Sequence, residues 1–152
     1  MALSDIRTAI ATALGQVSAI GKVNAYDVLA TREEDFKTFF FDESLGYVQG
    51  WAITREITSE IDKDTEMNWS THLMVIRGYR PIGAGGTTEL AFQDKVEDVR
   101  TRLRREQRDQ LGGNATFVGP PAVRILEPRM FGSYLVHYVE ILLAVRESVV
   151  VL

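Results

Sequence analysis

"GYVQGWAITREITSEIDKDTEMNWSTHLMVIRGY", residues 46–79, decides the fold. From Gly46 the apolar period is two. Trp51, Ile53 and Ile57 alternate with Thr54, Glu56 and Thr58, and β-branched residues abound. A second run, Met67 to Tyr79, alternates too, with Trp69, Leu73 and Val75 facing one way and Ser70 and His72 the other. The segment between them, "SEIDKDTEMN", is short and polar. Two strands joined by a polar tip predict a long antiparallel hairpin.

C-terminal to the hairpin, "IGAGGTTELAFQDKV" (82–96) runs three glycines into a helix. Phe92, Val96, Val99 and Leu103 then step by four, three and four, one apolar stripe on a helix over about 89–111. Its acids, Asp94, Glu97 and Asp98, come early. Its arginines at 100, 102, 104, 105 and 108 come late, the order the helix dipole favours. Gly112-Gly113 is the expected stop. Beyond it the pattern predicts a strand near 115–118, a "GPP" break at 119–121, a strand at 122–126 and a turn in "EPRMFGS". A last β run follows over 134–151. In that run Val139, Ile141, Leu143 and Val145 face one side, and Val136, Tyr138, Leu142 and Ala144 the other. Apolar residues on both faces predict a central strand covered twice, or covered once by another subunit.

N-terminal to the hairpin, Leu3, Ile6, Ile10 and Leu14 keep the helical period, with Ser4 as cap, Asp5 in the first turn and Gly15 as stop. An extended connector with a short strand is expected over "AIGKVNAYDVLA" (19–30). "TREE" (31–34) fits a capping box for a short helix over about 32–42, which would place Phe36, Phe39 and Phe40 in the core. The order helix, short helix, hairpin, long helix, hairpin predicts an α+β fold: an antiparallel sheet with helices packed mainly on one face.

The 152 residues suit a single domain, 1–152, able to bury a core without staples. No cysteine is present, which excludes disulfides, thiolate metal sites and cysteine nucleophiles. A net charge of -4 argues against a basic nucleic-acid footprint. Asp5 and Arg7 interrupt the apolar start, so no signal peptide is expected. No apolar run approaches the roughly 20 residues that span a bilayer.

The sequence offers no catalytic, cofactor or metal constellation. Gly83-x-Gly85-Gly86 lacks the lysine of a phosphate loop and the spacing of a dinucleotide loop, and Glu89 would set negative charge beside the phosphate. A flexible loop with Thr88 capping the helix is the expectation. "DKDTE" (62–66) opens like a calcium loop, but Met67 and Leu73 stand where glycine and glutamate are required. His72 and His137 lie inside predicted strands with no carboxylate at metal-site spacing, and read as structural. The arginine run reads as a solvated face, a subunit interface or a phosphate contact.

The whole pattern resembles the small tail terminator (tail completion) proteins of tailed bacteriophages. The resemblance rests on the first helix, "AIGKVNAYDV", "FKTFF", "GWAITRE", "THLMVIRGYRPI", the glycine- and threonine-rich loop before "ELAFQDKVEDVRTRL", and "LVHYVEILLAVRES". It implies a non-enzymatic virion protein, assembled in the host cytoplasm. It also implies a hexameric ring that caps the tail tube, stops its polymerisation and joins it to a head-side connector. DNA would pass through the lumen without sequence-specific binding, and no membrane is implied. A related neck protein, or a small α+β ligand-binding domain, is the alternative.

A ring of identical subunits joins one patch to a different patch. Arg100, Arg104 and Arg108 step by four along one side of the long helix, and Glu56, Glu60, Asp62 and Asp64 lie on the hairpin strand and tip. These are the candidate interface residues. The charges would register the contact, and the apolar final strand would supply most of the affinity.

Overall fold

A computed structural model describes residues 3–26, 40–83, 87–113, 115–131 and 134–151. Helix α1 (Leu3–Gly15) is followed by β1 (Lys22–Asn24), β2 (Phe41–Asp42), β3 (Tyr47–Val48), β4 (Gly50–Asp62) and β5 (Met67–Pro81). Helix α2 (Thr87–Gly113), β6 (Thr116–Phe117), β7 (Ala122–Phe131) and β8 (Tyr134–Val150) complete the order. The fold is α+β, with a mostly antiparallel mixed sheet of six strands. Its order is β1-β4-β5-β8-β6, and β7 pairs with β8 on the same side as β6.

Both helices cover one face of this sheet. The α1 residues Ile6, Ile10 and Leu14 and the α2 stripe Phe92, Val96, Val99 and Leu103 are buried against Trp51, Ile53, Met74 and Ile76. The β8 residues Val139, Ile141, Leu143 and Val145 complete that core. The expected stripe and the expected division of β8 into two faces therefore hold. Opposite the helices, Phe40, Val48, Ala52, Tyr79, Val136 and Tyr138 form a second cluster. Its rings pack at 4.8 Å (Phe40–Tyr79) and 5.2 Å (Tyr79–Tyr138). β8 is central, flanked by β5 on one side and by β6 and β7 on the other.

Four expectations are corrected. The short helix over 32–42 cannot run to its predicted end, because Phe41 and Asp42 pair as a strand with Val48 and Tyr47. The remainder of that helix, with Phe36 and Phe39, lies outside the described residues. β1 pairs in parallel with β4, so the sheet is not purely antiparallel. "EPRMF" is not a turn: β7 continues through it to Phe131. This is an edge strand, where the missing N–H of Pro128 is tolerated.

The fourth correction concerns the hairpin face. The ladder slips between Arg55 and Ile57, leaving Glu56 as an extra residue opposite no partner. Such a bulge reverses the alternation beyond it. Trp51 and Ile53 face the helices, but Ile57 pairs with Leu73 on the other face and is 57% exposed. In β5 the even residues Ser70, His72, Met74 and Ile76 share the buried helix-side face. Trp69 and Leu73 are only half-buried.

Candidate subunit interface

β4, β5 and β8 stay paired from the core out to Asp62, Met67 and Val150, so the hairpin and the end of β8 form one three-stranded arm. β4 is exposed from Arg55 to Asp62. At the tip, Asp64 Oδ1 accepts the backbone N–H groups of Glu66 and Met67 at 2.8 and 2.9 Å, which shapes the turn. Glu60 accepts a 3.5 Å contact from the Asn68 amide. Asp62 is exposed. On the arm's face opposite the helices, the Trp69 ring lies under Lys63 Nζ at 4.4 Å and the Arg146 guanidinium at 5.5 Å.

Glu56 is committed inside the chain. Arg124 Nη1 and Nη2 donate to its two oxygens at 2.9 and 2.8 Å, and Arg124 Nε donates to Glu140 Oε1 at 2.9 Å. Arg124 is itself the extra residue of a second bulge, between Val123 and Ile125. The two bulges thus aim a glutamate and an arginine at each other across the sheet. Tyr138 Oη donates to the other Glu140 oxygen, and Arg77 Nε lies 3.9 Å from it. This network was missed from sequence, although Glu140 is an acid flanked on both sides by apolar residues of the β run.

The electrostatics follow from those contacts. Burial alone would raise the Glu140 pKa, but the Tyr138 hydroxyl and Arg124 bonds outweigh it and hold it low. Arg124 chiefly lowers the Glu56 pKa, and burial chiefly raises that of Tyr138. Both glutamates therefore stabilise the fold above the ordinary carboxylate range, about pH 4.3, and that contribution is lost as pH falls through their depressed values. Acid unfolding followed by circular dichroism should shift to higher pH in Arg124→Ala. An unchanged acid midpoint would mean the network adds no pH-dependent stability.

On α2, Arg100 is held by Glu97 at 2.8 Å and approaches the Pro121 carbonyl. Arg104, Arg105 and Arg108 are exposed and form no ion pair among the described residues. Arg102 is bound to Glu106, whose side chain is buried beside it. Of the seven interface residues chosen from sequence, Arg104, Arg108 and Asp62 are exposed with no partner among the described residues, and exposed Glu60 has only its 3.5 Å contact from Asn68. Glu56, Asp64 and Arg100 have roles within the chain.

The histidines are held structurally. His72 Nδ1 is 2.8 Å from the Thr58 hydroxyl and its Nε2 is 3.1 Å from Glu147 Oε1. His137 stacks on Phe92 at 5.7 Å with Nε2 3.0 Å from the Thr88 hydroxyl, which also accepts the Gly83 N–H at 3.0 Å. Burial lowers the His137 pKa. A cleft of about 300 Å³ opens beside it, lined by Glu89, Gln93 and Glu127. Among the described residues no group of three or more acids or histidines could hold a metal ion. No helix among them is long and apolar enough to cross a membrane.

No protein-family model matches the chain, and no curated protein matches it.

Proposed function

We propose that the protein is a structural subunit that assembles head to tail into a hexameric ring. Within that reading it is a tail terminator that caps a phage tail tube, stops its growth and meets a head-side connector. The observation that carries the reading is the separation of unspent groups on one small fold. An acidic arm projects at one place, with Glu60 and Asp62 exposed, and Arg104 and Arg108 stand on α2 without an ion pair among the described residues. Such a chain satisfies its acids and arginines only partly by itself, and a copy beside it supplies the complement. The similarity in pattern to tail terminators adds the ring and its place in the virion. A neck protein of the same architecture is the nearest alternative.

Exchanging Arg104 and Arg108 together for glutamate tests the contact. Exposed ion pairs are individually weak, so reversing two charges should raise the dissociation constant of the ring about tenfold. The effect should grow at low salt, where screening is weakest. The fold should be unchanged, because both positions lie off the buried stripe. Light scattering and negative-stain images of the double variant decide the matter. Rings with unchanged concentration dependence would return these arginines to a solvated helix face.

A further inference from the structure

Among the described residues the sheet has two edges without a partner strand. Among the described residues β1 covers β4 only at Gly50–Ala52, so the outer edge of β4 from Ile53 to Asp62 has no partner. On the opposite flank, among the described residues, β7 pairs only with β8, and its outer edge from Ala122 to Phe131 has none. Each edge is ten residues long and presents backbone N–H and C=O groups that another strand would satisfy.

We propose that the β4 edge of one copy pairs with the β7 edge of the next, so that the ring wall is a continuous sheet. The inference rests on the ring reading and names the contact that builds it.

Three observations select this partner. The first is strand direction. β4 is antiparallel to β5, β5 to β8 and β8 to β7, so β4 and β7 run in opposite directions. Copies set side by side in the same orientation therefore present these edges antiparallel to each other, continuing the ladder already in the sheet. The second is charge. The β4 stretch ITREITSEID carries one arginine against three acids, and the β7 stretch AVRILEPRMF two arginines against one glutamate. With Glu56 held by Arg124 and Glu127 by Arg129 within the chain, two β4 edges still repel through Glu60 and Asp62 whereas a β4–β7 pair does not, which disfavours a two-fold dimer and favours head-to-tail growth.

The third is geometry. The free part of β4 lies level with β8 residues 141–149, and that of β7 level with 134–142. Side chains directly opposite each other share a face only if successive copies are shifted by an even number of residues; a shift of about six residues, ~20 Å across a four-strand width of ~19 Å, sets Ile53–Ile61 against Ala122–Met130, nine of the ten residues of each edge. The strands then incline about 45° to the ring axis, at the upper end of the 35–45° at which sheets close into barrels. Pro128, which has no N–H, interrupts the ladder without ending it.

The chain has no cysteine, so introduced thiols report cleanly. I57C with E127C, and T58C with L126C, place directly opposed, same-face pairs on the two edges in this register. The full chain carrying each pair, and each single variant, is treated with a short bis-maleimide after native mass spectrometry has recorded the uncross-linked assembly. The proposal expects a covalent ladder ending at the ring in the double variants. It expects heterodimers when the β4 and β7 single variants are mixed, and no more than traces of homodimer in either alone. Rings present by native mass spectrometry but not captured by either pair overturn the edge contact and leave the ring reading standing. Homodimers through β4 alone overturn it in favour of a two-fold contact. Monomers at every concentration overturn the ring reading and this inference with it.

Discussion

Val96→Asp is expected to destabilise the protein by on the order of 3 kcal/mol or more. Val96 is 1% exposed and sits in the middle of the stripe that joins α2 to the sheet. A carboxylate there loses its water inside a buried cluster made of apolar side chains, among them Phe92, Val99, Leu103, Val139 and Val145. For a chain of this size that loss lowers the melting temperature by on the order of 10 °C. Thermal melts of the purified variant check it. A shift within one or two degrees would mean that α2 presents a different face to the sheet.

Gly78→Ala should cost about 1–3 kcal/mol through overpacking, although it adds one methyl. Gly78 pairs with Trp51 on one side and Val139 on the other, in the middle of the sheet. A Cβ there would stand 2.4 and 2.6 Å from two atoms of the Trp51 ring and 2.8 Å from Val139. The indole cannot swing aside cheaply. Its Nε1 donates to the Ile20 carbonyl at 2.8 Å, and its ring stacks on Phe92 at 6.1 Å. Gly15→Ala is the control, since nothing lies within 4 Å of a Cβ added there. Urea unfolding of both variants should separate them clearly. Equal midpoints would mean that Trp51 has room to move.

His137 gives a smaller, pH-dependent effect. Its pKa is lowered by burial, so the unfolded chain binds the proton more readily than the folded one. The stability it contributes is present above the ordinary histidine value, about 6.5, and is lost as pH falls below it. Melting temperatures of His137→Gln should therefore fall less between pH 7 and 5 than those of the parent chain. Parallel curves would exclude this histidine as the source.

Long periodic segments were legible because burial imposes the period directly. The α2 stripe and the two faces of β8 follow from which side chains must leave water. The bulge at Glu56 was not legible, because one inserted residue leaves no mark in a run whose residues on both sides favour strands. It moved Ile57 from the expected core to an exposed face and aimed Glu56 at Arg124. Pro128 and the glycine after Phe131 read as a turn, since the same residues serve turns and edge strands. Among the interface residues, the sequence places the charges but not their partners. Arg100 and Glu56 look as free as Arg104 and Asp62 until Glu97 and Arg124 are seen beside them. The Glu140 network needed the two bulges and was beyond reach, although an acid within "LVHYVEILLAVRES" was a signal that a partner must exist.

The central claim is that this chain closes into a ring. Native mass spectrometry of the full chain over a range of concentrations, with negative-stain images of the same samples, tests it most directly. A closed particle of six 17.1 kDa chains with six-fold views is the expected result. A 17.1 kDa monomer, or a dimer with two-fold symmetry, at every concentration would contradict it.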